Sequence, residues 1–109
     1  MEININTIDN VQIVTLKGDI DSSVASEVTE SIIPLVTEKV KIILDMTAVS
    51  YMSSAGLRTL LSIHRQASNN NVPLILVGLS EEIQDTMSVT GFLNFFTVSD
   101  SLENAKGMI

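Results

Sequence analysis

Two adjacent hydroxyls, Ser53 and Ser54, stand where an apolar run gives way to an amphipathic one, in the stretch DMTAVSYMSSAGLRTLL from Asp45 to Leu61. A serine at such a junction has two chemical uses. Its oxygen caps a helix by accepting from a free backbone N–H, which is worth about 1 kcal/mol. It also accepts a phosphoryl group from a kinase. A helix N-terminus tolerates that phosphate, because free N–H groups and the helix dipole favour negative charge. On the capping reading, Ala55 and Gly56 are the first helical residues. Glycine there costs about 1 kcal/mol against alanine. Its presence predicts a close backbone approach. Tyr51 and Met52 are expected to form an exposed apolar rim, a docking surface beside the hydroxyls. Arg58 is either solvated or paired with a phosphate or a partner carboxylate.

Other reactive chemistry finds little support. His64 is the only histidine. It falls on the apolar stripe of its helix and reads as a packing residue, without a nucleophile to serve. The G-x-S-x-G elbow is missing. Cysteine is absent, which excludes disulfides, thiolate metal sites and thiol nucleophiles. One histidine and scattered carboxylates make no metal site by spacing. The five glycines are dispersed, so no phosphate-cradling loop is present. Carboxylates distant in sequence can still meet in space. With that exception, the residues point to a non-enzyme without cofactor or metal.

The elements that must position the serines follow from periodicity. Ile3 to Ile8 and Val11 to Leu16 alternate around Asp9-Asn10, which predicts a hairpin. Val11, Ile13 and Thr15 share one face of it; Val14 and Leu16 share the other. Asp21, Ser22 and Ser23 are N-cap candidates for a helix whose stripe is Val24, Val28, Ile32 and Leu35. Pro34 predicts an end or kink close to Ile33. Val40 to Leu44 is a short apolar run that suits a strand buried on both faces, closed by Asp45. The next helix places Leu57, Leu60, Leu61, His64 and Ala67 on one face and stops at Asn69-Asn70-Asn71. Pro73 opens a second buried strand. Ser80 begins a helix with Ile83, Met87 and Thr90 inward, and Gly91 falls at its C-terminal cap. Phe95 to Val98 reads as a last strand. Asp100 and Glu103 form a capping-box-like start to a last helix. The order is β-β-α-β-α-β-α-β-α: a small single-domain α/β sandwich over residues 1–109, with a mixed sheet of four to five strands and about four helices.

Bulk properties narrow the class. The chain has 109 residues, 45% of them apolar and 17% charged, which suits one globular domain. The net charge is −7, and the basic residues are scattered from Lys17 to Lys106, which disfavours nucleic acid as a partner. No apolar run approaches the roughly 18 residues of a membrane span. The N-terminus shows no signal pattern. A reducing cytoplasm is the expected location.

The stretch from Asp45 to Leu57 resembles the signature of STAS domains, in particular the bacterial anti-sigma factor antagonists. That motif reads roughly as aspartate, a small residue, an apolar residue, then Met/Ile-Asp-Ser-Ser/Thr-Gly-Leu. Leu16-Lys17-Gly18-Asp19-Ile20-Asp21 resembles the family's Leu-x-Gly-x-Leu-Asp segment, and Met87 to Phe92 its helix ending in a Gly-Leu step. The resemblance implies a phosphoswitch. The unphosphorylated form binds an anti-sigma factor that is also a serine kinase, and so frees a sigma factor. Phosphorylation of the motif serine breaks the complex, and a 2C-type phosphatase restores it. Carried over by position, the acceptor is Ser54, with Ser53 as the alternative. Asp21 matches an aspartate near the acceptor loop, and Gly56 and Leu57 match the motif's Gly-Leu. Tyr51, Met52, Ser53 and Arg58 complete the expected partner surface. One residue departs from the pattern: Ser53 stands where the family usually has aspartate. STAS-like domains also occur as scaffold subunits and transporter-associated modules. In those the same surface docks constitutively and the serines merely cap.

Overall fold

The alternating N-terminal stretch folds as expected. In the computed structural model, which describes every residue except Glu38, strands β1 (Glu2–Ile8) and β2 (Val11–Lys17) form an antiparallel hairpin. Ile8 pairs with Val11 across the turn. Asp9 takes φ +54°, a conformation that aspartate tolerates in a tight turn. The short apolar runs become β3 (Lys41–Ala48) and β4 (Leu74–Val77), and the sheet ends in β5 (Thr97–Ser99). The five strands lie in chain order, β1-β2-β3-β4-β5, and every pair beyond the hairpin is parallel.

That order dictates the layers. Three successive crossovers step across the sheet in one direction. Right-handed connections therefore place all their helices on one face. These are α1 (Ala25–Ile32), α2 (Ser54–Asn69) and α3 (Glu81–Val89). Val28, Ile32, Leu60, Ile63 and Met87 from them join Val14, Leu16, Leu44, Met46 and Leu76 in the main core. The last helix, α4 (Leu102–Gly107), covers the other face, where Ala105 packs with Ile13, Ile43, Ile75 and Val77. β3 and β4 thus feed two cores with alternate side chains, which is why their sequences read as unbroken apolar runs.

Several local expectations are corrected. Asp45 does not close its strand. β3 continues to Ala48, which pairs with Lys17. The Asp45 carboxylate instead accepts from the Thr47 amide at 3.0 Å and the Thr47 hydroxyl at 2.6 Å. Thr15 pairs with Asp45 and Lys17 with Ala48, so β3 carries one extra residue there, a bulge that bends a strand end. α1 begins after Val24 with no side-chain cap. Its Pro34 falls in a separate 3-10 turn, Ile33–Leu35, so the helix ends where the proline requires. On α2, Ile63 is fully buried, while Leu61 and His64 are half-buried. Thr90 is exposed, its hydroxyl donating back to the Thr86 carbonyl. Phe95 belongs to a 3-10 turn, Phe92–Phe95, ahead of β5. The cap of α4 is Ser101, which accepts from Asn104 N–H, not Asp100.

Candidate functional site

The serine pair lies in the connection from β3 to α2, at the C-terminal ends of parallel strands, where α/β folds gather functional loops. A second loop, from β2 to α1, runs beside it. Backbone bonds join the two. Gly18 N–H donates to the Ala48 carbonyl at 3.2 Å, Ile20 N–H to the Tyr51 carbonyl at 3.0 Å, and Ser53 N–H to the Ile20 carbonyl at 2.9 Å. Ile20 and Met52 form an isolated parallel bridge. Ile20 is fully buried. The loops behave as a short extension of the β2–β3 ladder past the bulge.

This junction explains Gly56. A Cβ at that position would lie 2.5 Å from the Ile20 carbonyl oxygen and 2.6 Å from Met52 Cγ. Only glycine lets the first turn of α2 press onto the bracket. The close approach read from its presence is therefore found, and its partners are Ile20 and Met52.

The two serines are not equivalent. Ser53 is the N-cap, with extended φ/ψ, and its Oγ accepts from Gly56 N–H at 3.2 Å. Ser54 is the first residue of the helix, and it is exposed. The helix thus begins one residue before Ala55, because the first serine does the capping. A hydroxyl engaged as a cap acceptor is held; one on the open side of the first turn is available to an enzyme.

The remaining expected residues divide by burial. Tyr51 is 50% exposed, but Met52 is only 8% exposed, so the rim is Tyr51 alone. Met52 is drawn inward by its bridge to Ile20. Gly56 and Leu57 are buried as well. They shape the loop from beneath. Arg58 is exposed.

Asp21 follows the bridged Ile20 in the neighbouring loop. It does not cap α1. Its Oδ1 accepts from the Ser23 hydroxyl at 2.5 Å and the Ser23 amide at 2.9 Å, and its carbonyl accepts from Val24 N–H at 3.2 Å. This is a turn opened by aspartate. The Ser23 hydroxyl, then the Ser23 amide, hold the Asp21 carboxyl below its ordinary value. The group is a fixed anion on the loop that runs beside the serine pair.

One wall of the site was invisible in the sequence. A cavity of about 40 Å³ separates the serine loop from α3, lined by Ser50, Tyr51, Met52 and Leu57 on one side and Glu82, Ile83 and Thr86 on the other. It is far smaller than the ~300–1,000 Å³ of ordinary ligand pockets. It suits the tip of one inserted side chain. Nothing in the local pattern links α3 to a loop some thirty positions earlier; only the fold does. Among the described residues, no three His, Cys, Asp or Glu side chains come together as metal ligands. No helix among them is long and apolar enough to cross a membrane.

Several known proteins are similar to this chain in sequence or fold. BtrV of Bordetella bronchiseptica, which bears the name of an anti-sigma factor antagonist, is 29% identical over 106 residues, covering 96% of this chain and 91% of its own. The anti-sigma-B factor antagonist of Staphylococcus epidermidis is 28% identical over 106 residues, covering 94% and 98%. Among solved structures, the anti-sigma factor antagonist SpoIIAA in its unphosphorylated form superposes with a TM-score of 0.78 at 16% identity, covering 98% of this chain and 96% of that one. The phosphorylated form of the Bacillus SpoIIAA superposes at 0.74, again at 16% identity, covering 99% and 100%. Residues 2–105 match the family model of the STAS domain, and the chain belongs to that family.

Proposed function

We propose that this chain is an anti-sigma factor antagonist whose binding is switched off by phosphorylation of Ser54. The carrying observation is the division of labour between the serines. Ser53 spends its oxygen on the Gly56 amide, while Ser54 presents an exposed hydroxyl on a loop fixed by the Ile20 bracket. The names of the curated relatives support the reading.

In this reading the unphosphorylated face docks an anti-sigma factor that is also a serine kinase, in the cytoplasm, and so releases a sigma factor. Tyr51, the mouth of the small cavity, Ser54 and Arg58 form the contact; Met52, Gly56 and Leu57 hold it in shape. Asp21 marks the adjoining loop. The kinase moves the γ-phosphoryl group of ATP to Ser54 Oγ, with loss of the hydroxyl proton and departure of ADP. The phosphate adds about −1.5 to −2 charges beside the Asp21 anion. A partner shaped for a neutral hydroxyl then loses its fit and must also desolvate that charge. A 2C-type phosphatase resets the loop. The chain itself performs no catalysis.

The test is phosphosite mapping on protein from its native cells, resting and stressed. Phosphate on Ser54 with condition-dependent occupancy is expected. Phosphate on Ser53 would move the acceptor. No phosphate under any condition would overturn the switch in favour of a constitutive docking module.

A further inference from the structure

α2 stands apart from the other helices in its charge. α1 carries Glu27 in its first turn, α3 carries Glu81 and Glu82, and α4 carries Glu103; α2 carries no acid there. No Asp or Glu occurs anywhere from Ser54 to Asn69, in a chain of net charge −7. The helix instead holds Arg58 in its second turn. A cation near a helix N-terminus opposes the macrodipole. The neighbours at i−4, i−3, i+3 and i+4 from Arg58 are Ser54, Ala55, Leu61 and Ser62, so no carboxylate on the helix offsets it.

The residue at i−4 is the acceptor. Residues four apart on a helix are surface neighbours, about 5–6 Å between Cβ atoms. A long helical side chain points back toward the N-terminus and lies over the turn before its own Cα. Both residues are exposed. The order, anion at i and cation at i+4, is the favourable one. Among the ionisable groups of neighbouring elements, Asp19 and Asp21 flank Ile20 and Glu82 lines the cavity on α3, while the cations, Lys17 opposite Ala48 and the amino terminus of Met1 against Gly18, sit at the start of the connection. Arg65, the other cation of α2, lies eleven residues from Ser54, about 16 Å along the axis.

We propose that phosphate on Ser54 is held in cis by the Arg58 guanidinium, a latch that supplies the missing first-turn anion and stabilises the switched state. This rests on Ser54 as the acceptor. The guanidinium fork fits phosphate oxygens in pairs. Arg58 thus has no same-helix ionic partner before phosphorylation and gains one by it, and the start of α2 is reinforced when the charge arrives.

The experiment uses the full chain with phosphoserine inserted at position 54 during translation, so it requires no kinase. Its result is therefore separable from whether cells phosphorylate the site. Phosphorus-31 NMR titration reads the second pKa of the phosphate. An adjacent cation favours the dianion, so the pKa should rise by about 0.15–0.4 unit in Arg58→Gln. Arg65→Gln should leave it unchanged. The difference should shrink in ~1 M salt, where the screening length is about 3 Å. The Arg58 Nε–H resonance should move on phosphorylation in the unsubstituted chain. Equal pKa values with and without Arg58 would overturn the latch. So would an equal rise in Arg65→Gln, which would reduce the effect to net charge, or an unmoved Nε–H signal.

Discussion

The Ile20 amide donates to the Tyr51 carbonyl and the Ile20 carbonyl accepts from Ser53 N–H, at 3.0 and 2.9 Å. One buried residue thereby holds both ends of the three-residue step that leads into Ser54. The loop is fixed from the side by a neighbouring loop, not only by the strand and helix it joins.

Gly56→Ala tests this bracket. The added methyl group would lie 2.5 Å from the Ile20 carbonyl oxygen, and backbone cannot yield cheaply. We expect a loss of about 1–3 kcal/mol, in the range of overpacking. The melting temperature should fall by several degrees, and the Ile20 and Ser53 amides should exchange faster with solvent. An unchanged melt would show that the approach is looser than described.

The serines should separate in a stability assay. Ser53→Ala removes the cap on Gly56 N–H and should cost about 1 kcal/mol. Ser53→Asp should recover most of it, since aspartate caps as well. Ser54→Ala is a surface change and should stay within about 0.5 kcal/mol. Urea titrations of the three variants decide the point, and equal losses at both positions would contradict the assignment of Ser53 as the cap.

Asp21 carries a pH dependence of known sign. The Ser23 hydroxyl and amide lower its folded pKa. Its contribution to stability is therefore complete above the unfolded aspartate pKa of about 3.9, and is lost as pH falls through the lower folded value. The stability gap between the unsubstituted chain and Asp21→Asn should hold at neutral pH and close on acidification. Carboxyl-carbon NMR should place the Asp21 pKa below the unfolded value and show it rising in Ser23→Ala.

His64 packs against Phe96 and Phe95, with ring centroids 5.2 and 6.2 Å away at tilted angles. Such pairs contribute about 0.5–1.5 kcal/mol beyond area burial. His64→Ala should destabilise the domain by about that amount or more, yet, under the proposed switch, leave phosphorylation of Ser54 unaltered once the chain is folded. A selective loss of phosphorylation would reassign this histidine to the site.

Much of the molecule was legible where one residue type satisfies one local demand. The Asp9-Asn10 turn, the doubly buried strands and the proline-limited first helix all came from short windows. The junction at Ser53 and Ser54 was legible for the same reason, since caps and glycines mark a helix start. Legibility failed where a partner distant in sequence decides the outcome. Met52 reads as a surface residue until Ile20 pairs with it. Asp45 reads as a strand end until Lys17 pairs with Ala48 beyond it. Asp21 reads as a helix cap because aspartate serves turns and caps alike; the turn to Val24 takes it instead. The α3 wall of the cavity has no local signature at all.

The strand order also bears on how the domain is made. Each strand pairs with the strand synthesised just before it, so a chain emerging from the ribosome never waits for a distant segment to complete a ladder. Both loops of the serine junction are present once Gly56 has emerged. α3 and the far edge strand arrive afterwards and close over a junction whose backbone bonds need nothing from them.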